Sequence, residues 1–180
     1  MSVKAMNTRK KLLGQEHEET LSSMAMVGLI YNLEGRWKEA EELEVQVMET
    51  RKRVLGTEHP STLTSMANLA STFWNQGRWK EAEELDVQVM ETSSRVLGAE
   101  HPDTLTSMNN LAYTLKGQNR DGEAIELMAS CMELCMKVLD PSHPISQSVF
   151  TALMAWLSAN DTTEQQEGQD ANRMPGAWVG

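Results

Sequence analysis

Four histidines, His17, His59, His101 and His143, stand 42 residues apart, and the residues around them recur at the same interval. Leu13-Gly14-Gln15-Glu16-His17 returns as Leu55-Gly56-Thr57-Glu58-His59-Pro60, as Leu97-Gly98-Ala99-Glu100-His101-Pro102, and as Leu139-Asp140-Pro141-Ser142-His143-Pro144. Between these marks Gly35-Arg36-Trp37-Lys38-Glu39-Ala40-Glu41-Glu42-Leu43 repeats unchanged from Gly77 to Leu85. It returns in altered form from Asn119 to Leu127. A fixed period of this length is the signature of a stacked array, in which no unit buries its apolar face alone and neighbours complete the core. Arrays of this kind mostly offer surface to a partner and rarely house a reaction.

Each unit reads as two helices. The first, helix A, is predicted near 19–33, 61–76, 103–117 and 145–158; the second, helix B, near 37–54, 79–96 and 121–138. Apolar residues at 63, 66, 69, 70 and 73, and again at 82, 85, 89 and 90, keep the spacing of an amphipathic helix. Gly35 and Gly77 end helix A, Gly56 and Gly98 end helix B, and Pro60, Pro102 and Pro144 suit the first turn of the next helix A. The chain therefore divides into a partial unit 1–13, units 14–55, 56–97 and 98–139, and a capping helix within 140–158. Residues 159–180, rich in Gln, Glu, Asp, Thr and Gly, read as a disordered tail. Val3, Met6 and Leu13 align with Val45, Met48 and Leu55, so the chain opens midway through a helix B, as a piece of a longer array or a truncated member of one would. The flank left uncovered there predicts weak self-association through the N-terminal helix.

A net charge of -10 and the lack of a basic stripe argue against nucleic acid and anionic membrane as partners. The N-terminus has no apolar signal region, and no segment approaches the roughly 18 apolar residues of a membrane span, which reads as a soluble, cytoplasmic protein. Cys131 and Cys135 lie four apart on a predicted helix B, where Val47 and Val89 stand at the first position in earlier units. They read as small buried hydrophobes and not as metal ligands or a disulfide. The in-register histidines are too far apart to converge and read as turn and capping residues. Glu39, Glu41, Glu42, Glu81, Glu83 and Glu84 read as a solvated face, and the Met24, Met66, Met108 and Met48, Met90, Met132 stripes as core. No phosphate loop, nucleophile elbow or Cys-His arrangement is present, so the chain reads as no enzyme, with no cofactor and no metal.

The Asn-Leu-Ala of helix A, the Gln-Gly-Arg-Trp-Lys-Glu-Ala-Glu turn and the Arg-Val-Leu-Gly-x-Glu-His-Pro-x-Thr junction resemble the 42-residue tetratricopeptide repeat of kinesin light chains. They are also similar to the near-identical arrays carried as sensor regions by STAND-type NTPases of filamentous fungi. The resemblance covers residues 3 to about 158. Glu18 departs from it at the inter-unit proline, and Met26 and Gly28 depart from its Asn and Ala. It implies an all-α fold, an α-solenoid of antiparallel helix pairs winding as a right-handed superhelix. Small residues of helices A and B should then meet, Ala70 on Ala82, Ala112 on Ala124 and Gly28 on Ala40.

Helix B hardly changes between units: 37–50 and 79–92 differ only at Glu44 and Asp86. Helix A changes at Met26/Asn68/Asn110, Leu29/Ser71/Tyr113 and Asn32/Trp74/Lys116. The resemblance places helix A on the concave side and gives Asn68 and Asn110 the role of holding a peptide backbone, with Ser71, Trp74, Asn109, Tyr113 and Lys116 setting side-chain preference. The expected function is a non-catalytic module that takes a protein or peptide ligand, extended or helical, in this groove. The alternative is a structural or sensor segment of a STAND-type NTPase, acting by self-association or autoinhibition.

Overall fold

Apolar residues spaced three and four apart, punctuated every half-unit by glycine or proline, fold as one helix after another. The computed structural model describes residues 3–171, with side chains described for 3–159. Within them lie α1 Val3–Leu13, α2 Glu18–Leu33, α3 Trp37–Leu55, α4 Pro60–Asn75, α5 Trp79–Leu97, α6 Pro102–Gly117, α7 Asp121–Val138 and α8 Pro144–Ala171. No strand occurs among the described residues. Helix A of each unit is thus α2, α4, α6 or α8, and helix B is α1, α3, α5 or α7. The helix boundaries expected from sequence hold to within a residue, except at the end. There α8 runs on to Ala171 rather than stopping near 158, because Glu164, Gln165, Gln166 and Glu167 are good helix formers despite having lost the 42-residue period. Residues 172–180 of the expected tail lie outside the described residues.

Both ends of helix A are built by local chemistry. The ring nitrogens of His17, His59 and His101 accept hydrogen bonds from the backbone N–H groups of Glu19, Ser61 and Asp103 at 3.2, 3.1 and 3.1 Å, and His143 takes that of Ile145 at 3.2 Å. The in-register histidines are therefore helix caps, each satisfying a donor that the first turn would leave unpaired. At the other end Gly35, Gly77 and Asn119 adopt positive φ of 75°, 74° and 61°. The following N–H then reaches back, Arg36 to Tyr31, Arg78 to Phe73 and Arg120 to Leu115, at 2.8, 2.9 and 3.1 Å. Asparagine is the residue that best replaces glycine in this left-handed closing turn, which explains how the altered third unit keeps its geometry.

Each helix packs on the next in chain order. In addition α2 touches α4, α4 touches α6 and α6 touches α8, whereas no helix B touches another helix B among the described residues. A row of helices in mutual contact beside a row held apart makes the array curve, with the A helices on the inner side. Between the rows run clusters such as Met48, Leu63, Met66, Leu69, Phe73, Ala82 and Val89, and Leu105, Ala112, Met128, Cys131, Cys135 and Val149. Burying a large apolar side chain of this kind contributes about 1.5–3 kcal/mol. The methionine stripes belong to this core: Met24, Met48 and Met66 are buried, and Met108 and Met132 pack against it.

Polar ties repeat from unit to unit as faithfully as the core does. Arg78 reaches back to Glu41 at 2.8 Å, where Gln76 also donates at 2.9 Å. One unit later Arg120 meets Glu83 at 2.5 Å and Gln118 donates to it at 2.7 Å. Glu41 and Glu83 are consequently not the free solvated carboxylates their sequence suggested. They clasp successive units, while Glu39, Glu81 and Glu123 pair with the arginine at the start of their own helix. Arg51, 5% exposed, spans two units by donating to Glu18 and Ser22 on α2 and to Ser61 and Ser65 near the start of α4.

Gly28 meets a neighbour the sequence did not suggest. A Cβ there would lie 3.0 Å from Cγ of Glu44, which is nearer to it than Ala40. Glycine opposite the longer carboxylate, and Ala70 in the unit where that carboxylate is Asp86, keep the summed volume level. Gly28→Ala should therefore forfeit its gain in helix propensity to overpacking. Combined with Glu44→Asp it should be more stable than the two single changes predict by about 1 kcal/mol or more, read from denaturant unfolding in a double-mutant cycle. Strict additivity would show that the two positions do not share this space.

Candidate functional site

Three intervals separate the four A helices, and the same four positions carry different chemistry in each. Between α2 and α4, Asn75 donates to Asn32 at 2.7 Å, Asn32 donates to Thr72 at 2.9 Å, and the Thr72 hydroxyl donates to buried Glu44 at 2.6 Å. This chain of hydrogen bonds spans the interval and leaves a smaller hollow of about 340 Å³ beside Asn32 and Asn75. Between α6 and α8 the same places are taken by apolar groups, Met128 for the carboxylate and Trp156 for the threonine, packed in one cluster. Between α4 and α6 the chain is cut short. Thr114 donates to Asp86 at 2.7 Å, but Trp74 stands where Asn32 would continue the network, and Gly117 stands in place of Asn75.

What remains there is a cavity of about 640 Å³, walled by α4 and α6 with α5 as its floor. Six of the seven residues expected to form the groove line it: Asn68, Ser71 and Trp74 from α4, and Asn109, Asn110 and Tyr113 from α6. The amides of Asn68 and Asn110 are half-buried and, among the described residues, take no intramolecular partner, so their donors and acceptors face the space. Trp74 is placed differently from expectation. Its indole N–H donates to the Tyr113 carbonyl at 3.3 Å, and its ring meets Trp79 edge-on at 5.3 Å, which makes it a strut between α4 and α6 as well as a wall. Lys116 is not brought in. It pairs with Asp121 at 2.7 Å and lies over the Trp156 ring, drawn off by the acidic start of α7.

Sequence reasoning missed Asp86, which is 4% exposed and borders the cavity from its floor. Burial pushes its carboxyl up to about 6, against the opposing hydrogen bond from Thr114. Glu44 goes up to about 7 for the same reason, partly countered by Thr72. The signal was available: residue 86 falls four after Ala82 on the buried phase of helix B, a position where a carboxylate is out of place. Cys131 and Cys135 are fully buried, and burial raises the Cys131 thiol to about 12, in keeping with their reading as inert small hydrophobes.

The tetratricopeptide repeat model matches residues 27–91 and 66–137. The chain belongs to the tetratricopeptide repeat family. Among solved structures it is similar to the kinesin light chain nearly identical TPR-like repeats of Podosopora anserina, at 31% identity and a TM-score of 0.73, covering 93% of this chain and 78% of that one. A point-substituted form of that protein gives a TM-score of 0.75 at the same identity and coverage. BtubC (BKLC) from P. vanneervenii, 17% identical with a TM-score of 0.65 over 89% of this chain and 68% of that one, shares the fold. A search of the curated proteins finds no relative of this chain. The repeats are thus of the kinesin light chain-like kind, a fold that generally mediates protein–protein interaction. No helix among the described residues is long and apolar enough to cross a membrane.

Proposed function

We propose that this repeat array is a non-catalytic interaction module that holds an extended peptide in the cavity between α4 and α6. The observation that carries the reading is the pair Asn68 and Asn110, on adjacent A helices at one cavity, with amide groups not spent on the protein itself. An extended backbone presents alternating N–H and C=O groups, and two asparagines a repeat apart can each donate to and accept from it. Replacing both by Ala should weaken a peptide partner by about 1–3 kcal/mol while leaving the helical signal nearly intact, as measured by calorimetry beside circular dichroism. Undiminished affinity in the double variant would move the site elsewhere. The acidic surface favours a protein partner over nucleic acid, and free buried thiols suit a cytoplasmic setting.

A second reading has support at the other end of the array. Among the described residues helix α1 packs on α2 alone, leaving Val3, Leu12 and Leu13 exposed at 41%, 78% and 42%. We propose that this flank stacks on another copy as a weak dimer, the mode of action expected of a structural segment such as one in a STAND-type NTPase. Like charge opposes the contact, so added salt should favour it. Sedimentation of a monomer at both low and high salt, well above micromolar concentration, would remove this reading.

A further inference from the structure

The charged groups at the cavity between α4 and α6 are all of one sign. Asp86 on the floor and Asp103 at the start of α6 border it, and no Lys, Arg or His does. Lys116, the nearest basic residue of the groove columns, is held by Asp121. The acceptors are also underused. Asp86 Oδ2 takes the Thr114 hydroxyl, while Oδ1 has no hydrogen-bond partner among the described residues. Asn109 Oδ1 is enclosed and likewise without a partner. A carboxylate 4% exposed, with one oxygen unspent beside this space, leaves acceptor capacity that a donor-rich guest can fill.

The aromatic walls select among such guests. Trp74 and Tyr113, each 36% exposed, line the same cavity while each meets a second ring edge-on, Trp79 and Trp156 respectively. A guanidinium is planar, stacks on aromatic rings and offers five donors in a fixed fork, so it can meet rings and acceptors together; an ammonium is a hydrated point charge. An acidic guest would bring like charge to Asp86 and Asp103 on a chain already at -10.

We propose that this cavity is a specificity site for a basic residue, arginine in preference to lysine, of an extended peptide, with Asp86 receiving its head group. The inference rests on the groove reading above and adds to it the chemistry of the ligand. It also accounts for the differences between intervals. Glu44 lies in another interval, its Oε2 bonded by Thr72, and Met128 carries no charge, so of the three equivalent positions Asp86 alone borders this space.

The test pans a library of random dodecapeptides against the full chain, then measures the selected peptide, its arginine-to-citrulline form and its arginine-to-lysine form against wild type, Asp86→Asn and Asn68→Ala/Asn110→Ala. Enrichment of arginine is expected, with at least about a tenfold loss for citrulline, which keeps the shape and removes the charge. Asp86→Asn should show the same loss for the arginine peptide and little further loss for citrulline. If citrulline binds as well as arginine, or if Asp86→Asn leaves their ratio unchanged, the inference fails while the groove reading stands on the asparagine variant. General attraction of a basic peptide to an acidic protein is recognised by the second of these outcomes. Should Asp86→Asn fail to fold, the citrulline and lysine forms on wild type decide together, because general attraction to an acidic protein would hold lysine as tightly as arginine. A library with no enriched peptide overturns the groove reading and this inference with it.

Discussion

Leu105→Ala should lower the unfolding free energy by about 3–5 kcal/mol, the range for a buried leucine whose site cannot collapse. Leu105 is fully buried on α6, in a cluster drawn from α6, α7 and α8. The backbone on either side is fixed, since its own carbonyl accepts the Cys131 thiol at 3.4 Å and its helix is capped by His101. The loss should also be local. In this array a helix touches its chain neighbours and, in the A row, the next A helix, so a cavity at α6 weakens α6 to α8 while α1 to α3 keep their own cluster. Hydrogen exchange should show the amides of α6–α8 losing protection ahead of those of α1–α3. A cost under about 1 kcal/mol, or an even loss of protection along the chain, would mean that the core is plastic or the array unfolds as one block.

Architecture was legible in the sequence because it is written in features that act locally. Period, apolar phase, capping His and closing Gly each constrain only a few residues, and each is repeated, so an error in one unit is corrected by the next. Even the worn turn at Asn119 obeys the rule its glycine counterparts announce. The far boundary of α8 was missed for the converse reason: past Asn160 there is no repeat to compare, and helix propensity alone carries the chain on.

The candidate site was legible as a set of columns but not as a set of directions. Variation in helix A located Asn68, Ser71, Trp74, Asn109, Asn110 and Tyr113, all of which border one cavity. It could not tell that Lys116 would turn toward Asp121 or that the Trp74 indole would spend its N–H on α6, because both depend on partners about five and 39 residues away. Faithful copying of helix B hid more. Glu44 and Asp86 were the sole difference between 37–50 and 79–92, yet the difference falls where a methylene decides whether Gly or Ala can stand opposite. With Trp at 74 in place of Asn32, the cavity between α4 and α6 is about 640 Å³ against about 340 Å³ between α2 and α4.

Those two carboxyls should also govern how stability depends on pH. Burial, opposed by single threonine hydrogen bonds, raises Glu44 from its ordinary 4.5 to about 7 and Asp86 from 3.8 to about 6. The folded state then holds protons that the unfolded chain has released, so stability must fall as pH rises through this window. The penalty is absent below the unfolded values and complete above the folded ones. Each shift corresponds to about 3 kcal/mol at its full extent. The paired surface carboxylates act in the opposite sense. Hydrogen bonds from their arginines lower Glu39, Glu58, Glu81 and Glu123, so their contribution is present above about pH 4.5 and is lost on acidification. Stability should consequently peak near pH 5 and decline toward pH 8. Urea unfolding at pH 5, 6, 7 and 8 measures the slope, and Glu44→Gln with Asp86→Asn should flatten it. A wild-type curve level from pH 5 to 8, or a slope unchanged in the double variant, would show that both groups are ionised in the folded state at little cost.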